Sequence, residues 1–246
     1  MTPRARLLDG LLGIAASVTL ATTLILGLRL PPTAEQEDYS RLIAIHPAIA
    51  WTAYLAFGVM AIASALWLIP ATRGRVCDRI AAASAEVGVV FTALMLVTGS
   101  IWGRPTWGVW WVWDARLTLS ALMLALLLGY LALRRVSVDV ERRSLVSAVT
   151  ALAAVVVIPI NHFAVTWWRT LHQGRSLANV SPGSTLDGEY IAVMLVGFVA
   201  MTLAYGWLLL RRYRIEALAE AAADEGLAAA IVERRREGLD GGEAFA

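Results

Sequence analysis

Six long apolar stretches dominate the sequence, and each is long enough to cross a lipid bilayer as a helix. A helix needs about 20 mostly apolar residues to cross the hydrocarbon core. Because backbone groups inside lipid must be hydrogen-bonded within their own segment, the sequence predicts an all-α integral membrane protein with six transmembrane helices. The first stretch exceeds the roughly 7–15 residues of a signal-peptide core, so we expect it to remain as a span. The expected spans are roughly 9–30, 43–69, 80–101, 116–133, 144–165 and 190–210.

The composition also indicates a bilayer and argues against several functional classes. Only 16% of the 246 residues are charged, whereas a soluble domain carries about 25%. All 21 basic residues are arginines scattered along the chain, so no nucleic-acid-binding patch is expected. The single cysteine, Cys77, provides neither a disulfide nor a CxxC pair, which argues against thiol redox chemistry.

Arginines in the short loops predict the orientation, because cytoplasmic loops carry an excess of basic residues. Alternate loops hold 12 and 6 arginines, before the C-terminal tail is counted. We therefore expect both termini to be cytoplasmic and the loops at 31–42, 102–115 and 166–189 to face outward. Residues 1–213 would form the membrane domain, and residues 214–246 a charged, helical cytoplasmic tail. The larger set is Arg4, Arg6, Arg73, Arg75, Arg79, Arg134, Arg135, Arg142, Arg143, Arg211, Arg212 and Arg214; the smaller set is Arg29, Arg41, Arg104, Arg116, Arg169 and Arg175.

Two of the three histidines occupy matched positions in the predicted helices. His46 lies about one turn inside the outer end of the second span, and His162 about one turn inside the outer end of the fifth. An ionisable residue inside a span is by default a functional hypothesis, and imidazole is a good ligand for iron. The pair therefore suggests a haem site. The alternative is that each histidine makes a hydrogen bond in the core.

A proline lies close to each of these histidines. Pro47 follows His46 directly, and Pro159 precedes His162 by three positions. Proline removes a backbone donor and bends or opens a helix locally, so we expect a kink that turns each imidazole toward a shared cavity. A carbonyl freed by the kink could hold the second ring N–H. The alternative is that prolines are simply commoner in membrane helices.

Half of the 10 tryptophans fall in the outer loop at 102–115. Tryptophan is enriched at membrane interfaces in general, but an interfacial belt distributes its rings over many helix ends. Gly103 and Gly108 would let the loop turn tightly, and Pro105 would stiffen it. We therefore expect a rigid aromatic shelf along the outer surface, suited to stacking on a flat apolar macrocycle. The five tryptophans are Trp102, Trp107, Trp110, Trp111 and Trp113.

Four polar residues near the outer surface are candidates for contacts with a ligand or for local structure. Arg104 is expected to meet a haem propionate as a charge-assisted pair. Asp114 is expected to cap the fourth helix, and Arg116 to pair with Asp114 or with a ligand carboxylate. His172 lies outside the predicted fifth span. It could be a surface residue, a hydrogen-bond partner or a contact for an incoming protein.

The tryptophan-rich loop also carries a family signature. The string Trp107-Gly-Val-Trp110-Trp111-Val-Trp113-Asp114-Ala-Arg116-Leu-Thr118 resembles the WWD signature of the haem-handling protein superfamily. Within that superfamily, the chain is most similar to the CcmC family of cytochrome c maturation proteins. Further similarity lies in Val97–Gly103 and Pro159–Gly174, and the resemblance covers roughly residues 9–210. The larger synthases CcmF and CcsA have more helices and more histidines.

The resemblance implies a site and a set of partners. His46 and His162 would be the axial ligands of a non-covalently bound haem b, and the WWD loop at 102–118 would hold its edge. The protein would present haem at the outer face of the bacterial inner membrane, toward the periplasm, to the haem chaperone CcmE. CcmD and the transporter subunits CcmA and CcmB would complete the assembly. The implied haem contacts are the two histidines together with Trp102, Arg104, Trp107, Trp110, Trp111, Trp113, Asp114, Arg116, Trp167, Trp168 and His172.

These features predict a haem-handling and haem-transfer component rather than an enzyme. The sequence contains no Walker A motif, so any ATP-driven step would come from another chain of an ABC-type complex. One alternative is an electron-transfer subunit that oxidises quinol, which normally has four ligand histidines inside its helices. Another is a haem-free transporter permease or structural subunit, in which replacing His46 or His162 would have no effect.

Overall fold

The computed structural model describes residues 3–34, 36–136, 139–172 and 188–243, and regular structure in these ranges is helical. An isolated antiparallel bridge between Thr33 and Glu37 is the exception. Six helical segments in the described part are long and apolar enough to cross a membrane, which confirms the predicted fold class. Most of the predicted third outer loop, including Gly174 and Arg175, lies outside the described residues.

Eight helical elements make up these six crossings. A short 3-10 helix and α2 share the second crossing, and α5 and α6 share the fifth. In chain order the elements are α1 (Pro3–Arg29), the 3-10 helix (Asp38–Ala44), α2 (His46–Leu68), α3 (Arg75–Trp107), α4 (Ala115–Val136), α5 (Val140–Val155), α6 (Val157–Trp167) and α7 (Gly188–Glu243).

The helix α3 is longer than the span predicted for it. Its 33 residues correspond to about 50 Å, well beyond the roughly 30 Å hydrocarbon core, so it extends past the apolar run that marks the span. It continues through Trp107, and Trp102 and Arg104 therefore lie on the helix. The expectation of a loop from residue 102 is wrong; the connection to α4 covers residues 108–114.

Pro47 and Pro159 differ in their effect on the backbone. The helix α2 begins at His46, so Pro47 lies in its first turn, where a missing N–H breaks no helical hydrogen bond. The expected kink at Pro47 is therefore wrong. The fifth crossing is interrupted at Val156, between α5 and α6. Pro159 has no N–H to donate to the carbonyl of Val155, which explains why α5 ends there.

The core is built around α2 and α3, whose facing surfaces carry small side chains. Ala53 and Ala56 of α2 and Ala85 of α3 are fully buried, and small residues let membrane helices approach closely. Ser84 donates to the Ala56 carbonyl at 2.7 Å, so the Tyr205 hydroxyl of α7 donates to Ser84 at 2.7 Å. This packing holds together three helices that line the candidate site.

Ion pairs join the helices at the opposite end of the bundle, on the predicted inner side. Arg134 of α4 contacts both carboxylate oxygens of Asp78 on α3, at 2.8 and 2.7 Å. Asp78 is buried, and a bidentate arginine supplies the paired, hydrogen-bonded geometry that a buried carboxylate requires. The predicted inner end is thus fixed by charge pairs, whereas the opposite end contains a cavity.

Candidate functional site

A cavity of about 530 Å³ lies between α2, α3, α4, α6 and α7, at the ends that carry the predicted outer loops. Its volume is within the range of small-molecule sites, about 300–1,000 Å³. Apolar and aromatic side chains form most of its lining, and a few polar groups point into it. The lining includes His46, Trp51, Tyr54, Trp102, Trp107, Trp111, Arg116, His162 and His172.

His46 is the first residue of α2, and its ring lies against α3. The ring packs edge-on to Trp102, with 5.6 Å between the ring centroids. Its Nδ1 atom is 2.8 Å from the hydroxyl oxygen of Thr98. Trp102 is itself fixed, because its Nε1 donates to the Gln36 side-chain carbonyl at 3.0 Å. His46 is therefore held in one orientation at the wall of the cavity.

His162 reaches the same cavity from α6. Its ring lies between Tyr54 of α2, at 6.5 Å between centroids, and its neighbour Phe163, at 5.2 Å. Tyr54 is eight residues after His46, which corresponds to about 12 Å along α2. Both predicted ligands thus line one cavity, and the contact with Tyr54 places the His162 ring nearer the inner side than His46.

His172 also lines this cavity, although it follows the end of α6. Its ring contacts Trp107, with 6.1 Å between centroids. Trp107 is five residues beyond Trp102 on α3, about 7.5 Å nearer the outer end. His172, Arg116 and His46 all line this one cavity. Of the roles left open for His172, a plain surface position does not fit this placement.

The tryptophans of the signature region divide into two groups. Trp102, Trp107 and Trp111 line the cavity, whereas Trp110 and Trp113 are 57% and 76% exposed. Within the described residues, the buried Nε1 of Trp111 has no hydrogen-bond partner. An N–H buried without a partner is costly, and at a cavity wall it can donate to a bound ligand. The expected shelf is therefore partly a cavity wall and partly an exposed surface.

Gly108 allows the chain to turn at the end of α3. Its φ of 78° is in the left-handed region, which glycine adopts at little cost. Arg104 donates from Nη1 to the Gly108 carbonyl at 2.5 Å, so in this structure its guanidinium caps the helix end. Arg104 is not among the described residues that line the cavity.

Asp114 stabilises two segments at once. One carboxylate oxygen accepts from the backbone N–H of Leu117 at 2.8 Å, which confirms the predicted cap of α4. The other accepts from the N–H of Leu171 at 2.9 Å. The second bond was not expected from the sequence, and it holds the segment that carries His172.

Arg116 connects α4 to α6. It donates to the backbone carbonyls of Asn161 and His162, in the middle of α6, at 2.9 and 3.3 Å. Arg116 also lines the cavity, so it is in position to meet an anionic group there. Of its two expected partners, Asp114 and a ligand carboxylate, the first is not seen among the described contacts.

Trp167 and Trp168 lie at the end of α6 and are about half exposed. Trp167 stacks on Phe163 at 5.3 Å between centroids, which makes it a support for the residue next to His162. Neither tryptophan is among the described residues that line the cavity. A role in binding a ligand stays a prediction for both.

Sequence reasoning missed several residues that shape the site. Thr98 and Gly99 contact the His46 ring, and Tyr54 faces His162. Thr98 and Gly99 fall within the string Val97–Gly103 that carries part of the family resemblance, so a signal was present without a stated role. Tyr54 carried no such signal, because its relevance depends on the packing of α2 beside α6.

The chain matches known proteins over most of its length. The sequence profile of the family described as heme exporter protein C, CcmC, matches residues 3–227. A heme exporter protein C of Haemophilus influenzae is 38% identical over 214 residues, covering 87% of this chain and 86% of the relative. One from Bradyrhizobium diazoefficiens is 38% identical over 207 residues, covering 84% and 78%. One from Escherichia coli is 40% identical over 167 residues, covering 66% of each chain.

These matches agree with the resemblance carried by the tryptophan signature, and they extend it across the six apolar helices. A family profile that covers residues 3–227 includes every element that lines the cavity. The chain therefore belongs to the heme exporter protein C (CcmC) family, and it is a multi-pass membrane protein.

Proposed function

We propose that this protein binds haem b in the cavity at the outer end of its helices and delivers it to the haem chaperone CcmE during cytochrome c maturation. The observation that supports this most strongly is the presence of three imidazoles in one apolar cavity. The relatives bear the name heme exporter protein C, which agrees with haem as the cargo.

The residues of the cavity fit the chemistry of haem. Imidazole nitrogens suit iron, and the aromatic walls at Trp102 and Trp107 suit the apolar faces of a macrocycle. The Trp111 N–H, which has no hydrogen-bond partner among the described residues, and the guanidinium of Arg116 can hold propionates by hydrogen bonding and charge. Bound haem would supply an iron atom that imidazoles of this cavity could ligate and release.

His46 and His162 are the proposed axial ligands. They approach the cavity from different helices, so α2 and α6 would each contribute one side of the iron site. Exchangeable ligation suits a transfer protein, because the haem must leave again. The interrupted fifth crossing near Pro159 supports this, since α6 is a short segment tied to α4 mainly through Arg116 and Asn161.

His172 is a second candidate for the position opposite His46. It lines the same cavity as His46 and contacts Trp107 of α3. It also lies nearer the outer end, from which a chaperone would take the haem. Either His162 or His172 could therefore be the second iron ligand, and replacing each of them singly can distinguish the two assignments.

The experiment is to purify the protein with CcmE from cells that make haem and to measure the haem bound by His46→Ala, His162→Ala and His172→Ala variants. Haem loss in the first two with retention in the third supports the proposed pair. Loss in the first and third assigns His172 in place of His162. Unchanged haem content in all three contradicts the proposal.

Delivery to the chaperone has its own measurement. The proposal predicts that CcmE co-expressed with the wild-type protein acquires covalently attached haem, and that it acquires none with His46→Ala. Trp111→Ala, which removes a residue that lines the cavity, should lower this haem attachment, and Trp110→Ala, at an exposed position outside the cavity, is its matched control. Equal haem attachment with His46→Ala and wild type would contradict the delivery role.

The placement in the cell is part of the proposal. The arginine distribution supports cytoplasmic termini and a cavity that faces the periplasm across the bacterial inner membrane. CcmD, CcmA and CcmB are the proposed partners in an ABC-type complex, and any ATP hydrolysis would come from another chain of that complex. An electron-transfer subunit would instead hold more than one haem and turn over with quinol, which a haem count and a quinol assay distinguish.

A further inference from the structure

We propose that Thr98, assisted by Gly99, fixes the His46 ring as the tautomer that carries its proton on Nδ1 and leaves Nε2 free toward the cavity. Thr98 is thus a positioning residue for the iron ligand. The consequence for haem rests on the proposed function, but the tautomer itself is a property of the haem-free protein.

The hydrogen-bond chemistry of Thr98 determines the direction of its contact with His46. The Thr98 hydroxyl lies 2.7 Å from the carbonyl oxygen of Leu94, one turn earlier in α3. A carbonyl oxygen only accepts, so the single hydroxyl proton is used there. The hydroxyl oxygen must therefore accept from His46, and the ring nitrogen 2.8 Å away must be Nδ1–H.

This arrangement leaves one ring nitrogen for a ligand. In a neutral imidazole with the proton on Nδ1, the lone pair is on Nε2. Among the described residues, Thr98 is the one hydrogen-bond partner of the His46 ring, and the ring lines the cavity. A free neutral histidine prefers the opposite tautomer, with the proton on Nε2, so Thr98 reverses the ordinary preference.

Gly99 and Trp102 hold the ring on its other sides. A methyl group added at Gly99 would lie 3.0 Å from Cε1 of His46 and 3.6 Å from Nε2. A side chain there would force the imidazole to shift by a few tenths of an ångström. Trp102 packs edge-on against the His46 ring, with 5.6 Å between the ring centroids. Three residues spaced over little more than one turn of α3 thus orient a ligand that belongs to α2.

The expected effect of Thr98 on haem affinity follows from the hydrogen bond made by the second nitrogen of the ligand imidazole. A hydrogen bond donated by the ring nitrogen that does not ligate the metal fixes the ring orientation and raises the basicity of the ligating nitrogen. Its loss costs about 10–100-fold in metal affinity. Thr98→Val keeps the shape of the side chain and removes the acceptor. Thr98→Ser keeps the acceptor and is the matched control.

The first test reads the tautomer directly, in haem-free protein labelled with ¹⁵N-histidine. The His46 signals are assigned by their disappearance in His46→Ala. The wild type and Thr98→Ser are expected to show Nδ1–H with an unprotonated Nε2, and Thr98→Val is expected to shift toward Nε2–H. An Nε2–H tautomer in the wild type, or no change in Thr98→Val, overturns the inference.

The second test measures haem affinity and the reduction potential of bound haem in the same variants. Thr98→Val is expected to bind haem about 10–100-fold more weakly, with a raised potential because a less basic ligand stabilises ferric iron less. Thr98→Ser is expected to keep the haem affinity and the reduction potential of the wild type. Wild-type affinity and potential in Thr98→Val would overturn the positioning role, whereas haem binding that survives His46→Ala would overturn the proposed function instead.

Discussion

Asp114 uses its two carboxylate oxygens for two structural roles. One oxygen caps α4, and the other holds the backbone of Leu171 beside the cavity. The cap was predictable, because an acidic residue directly before an apolar helix is a common starting signal. The second bond was not, because it joins positions 57 residues apart, and only the folded bundle brings them together.

Replacement of Asp114 by asparagine should separate these two roles. The asparagine side chain has one acceptor oxygen where the carboxylate has two, so it can keep the bond from Leu117 or the bond from Leu171 but lacks a separate oxygen for each. We expect hydrogen exchange to become faster at residues 169–172 in Asp114→Asn while residues 115–120 stay protected. Asp114→Ala should expose both regions and cost about 1 kcal/mol for the lost cap. Equal acceleration at both regions in Asp114→Asn would argue against two independent bonds.

The elements show where hydropathy predicts well and where it does not. The six apolar runs were found, because each lies within a helix that can cross a bilayer. The outer end of α3 was misplaced, because this helix continues past its apolar run, whereas the charged helix expected after Tyr213 is present as the continuation of α7. Hydropathy detects the part of a helix that lies in lipid, whereas ion pairs with neighbouring helices stabilise the parts outside it.

The extension of α7 is joined to α3 by such pairs, and charge reversal can test this. Arg79 contacts Glu220 at 2.6 Å, and both side chains are partly buried. We expect Arg79→Glu and Glu220→Arg each to lower the midpoint of thermal unfolding in detergent. The double variant should recover most of the loss, with a coupling energy of about 1 kcal/mol. Additive losses in the double variant would show that this contact does not hold the helix.

The two ends of the whole molecule differ in their charged residues and in whether they contain a cavity. The cavity lies at one end, and most of the described ion pairs and most arginines lie at the other. The sequence predicted this division, because alternate loops differ in their number of arginines and because His46 and His162 lie near the same ends of their spans. It did not predict a three-histidine cavity, because the level of His162 and the placement of His172 depend on how α6 packs and on the bond from Asp114.

Cysteine labelling in intact cells can test the orientation. In a Cys77→Ser background, Trp113→Cys places a thiol at a position that is 76% exposed, and Ala71→Cys places one between α2 and α3. A membrane-impermeant maleimide added outside the inner membrane should label the first and should label the second only after permeabilisation. The reverse pattern would show that the cavity faces the cytoplasm.

The coordination of iron by His46 is the central claim, and electron paramagnetic resonance of ferric haem in the purified protein tests it most directly. The wild type should show a low-spin signal typical of two nitrogen ligands. His46→Gly should lose this signal and regain it when free imidazole is added, because imidazole can fill the space that the side chain leaves. A low-spin signal that persists in His46→Gly without added imidazole would contradict the account.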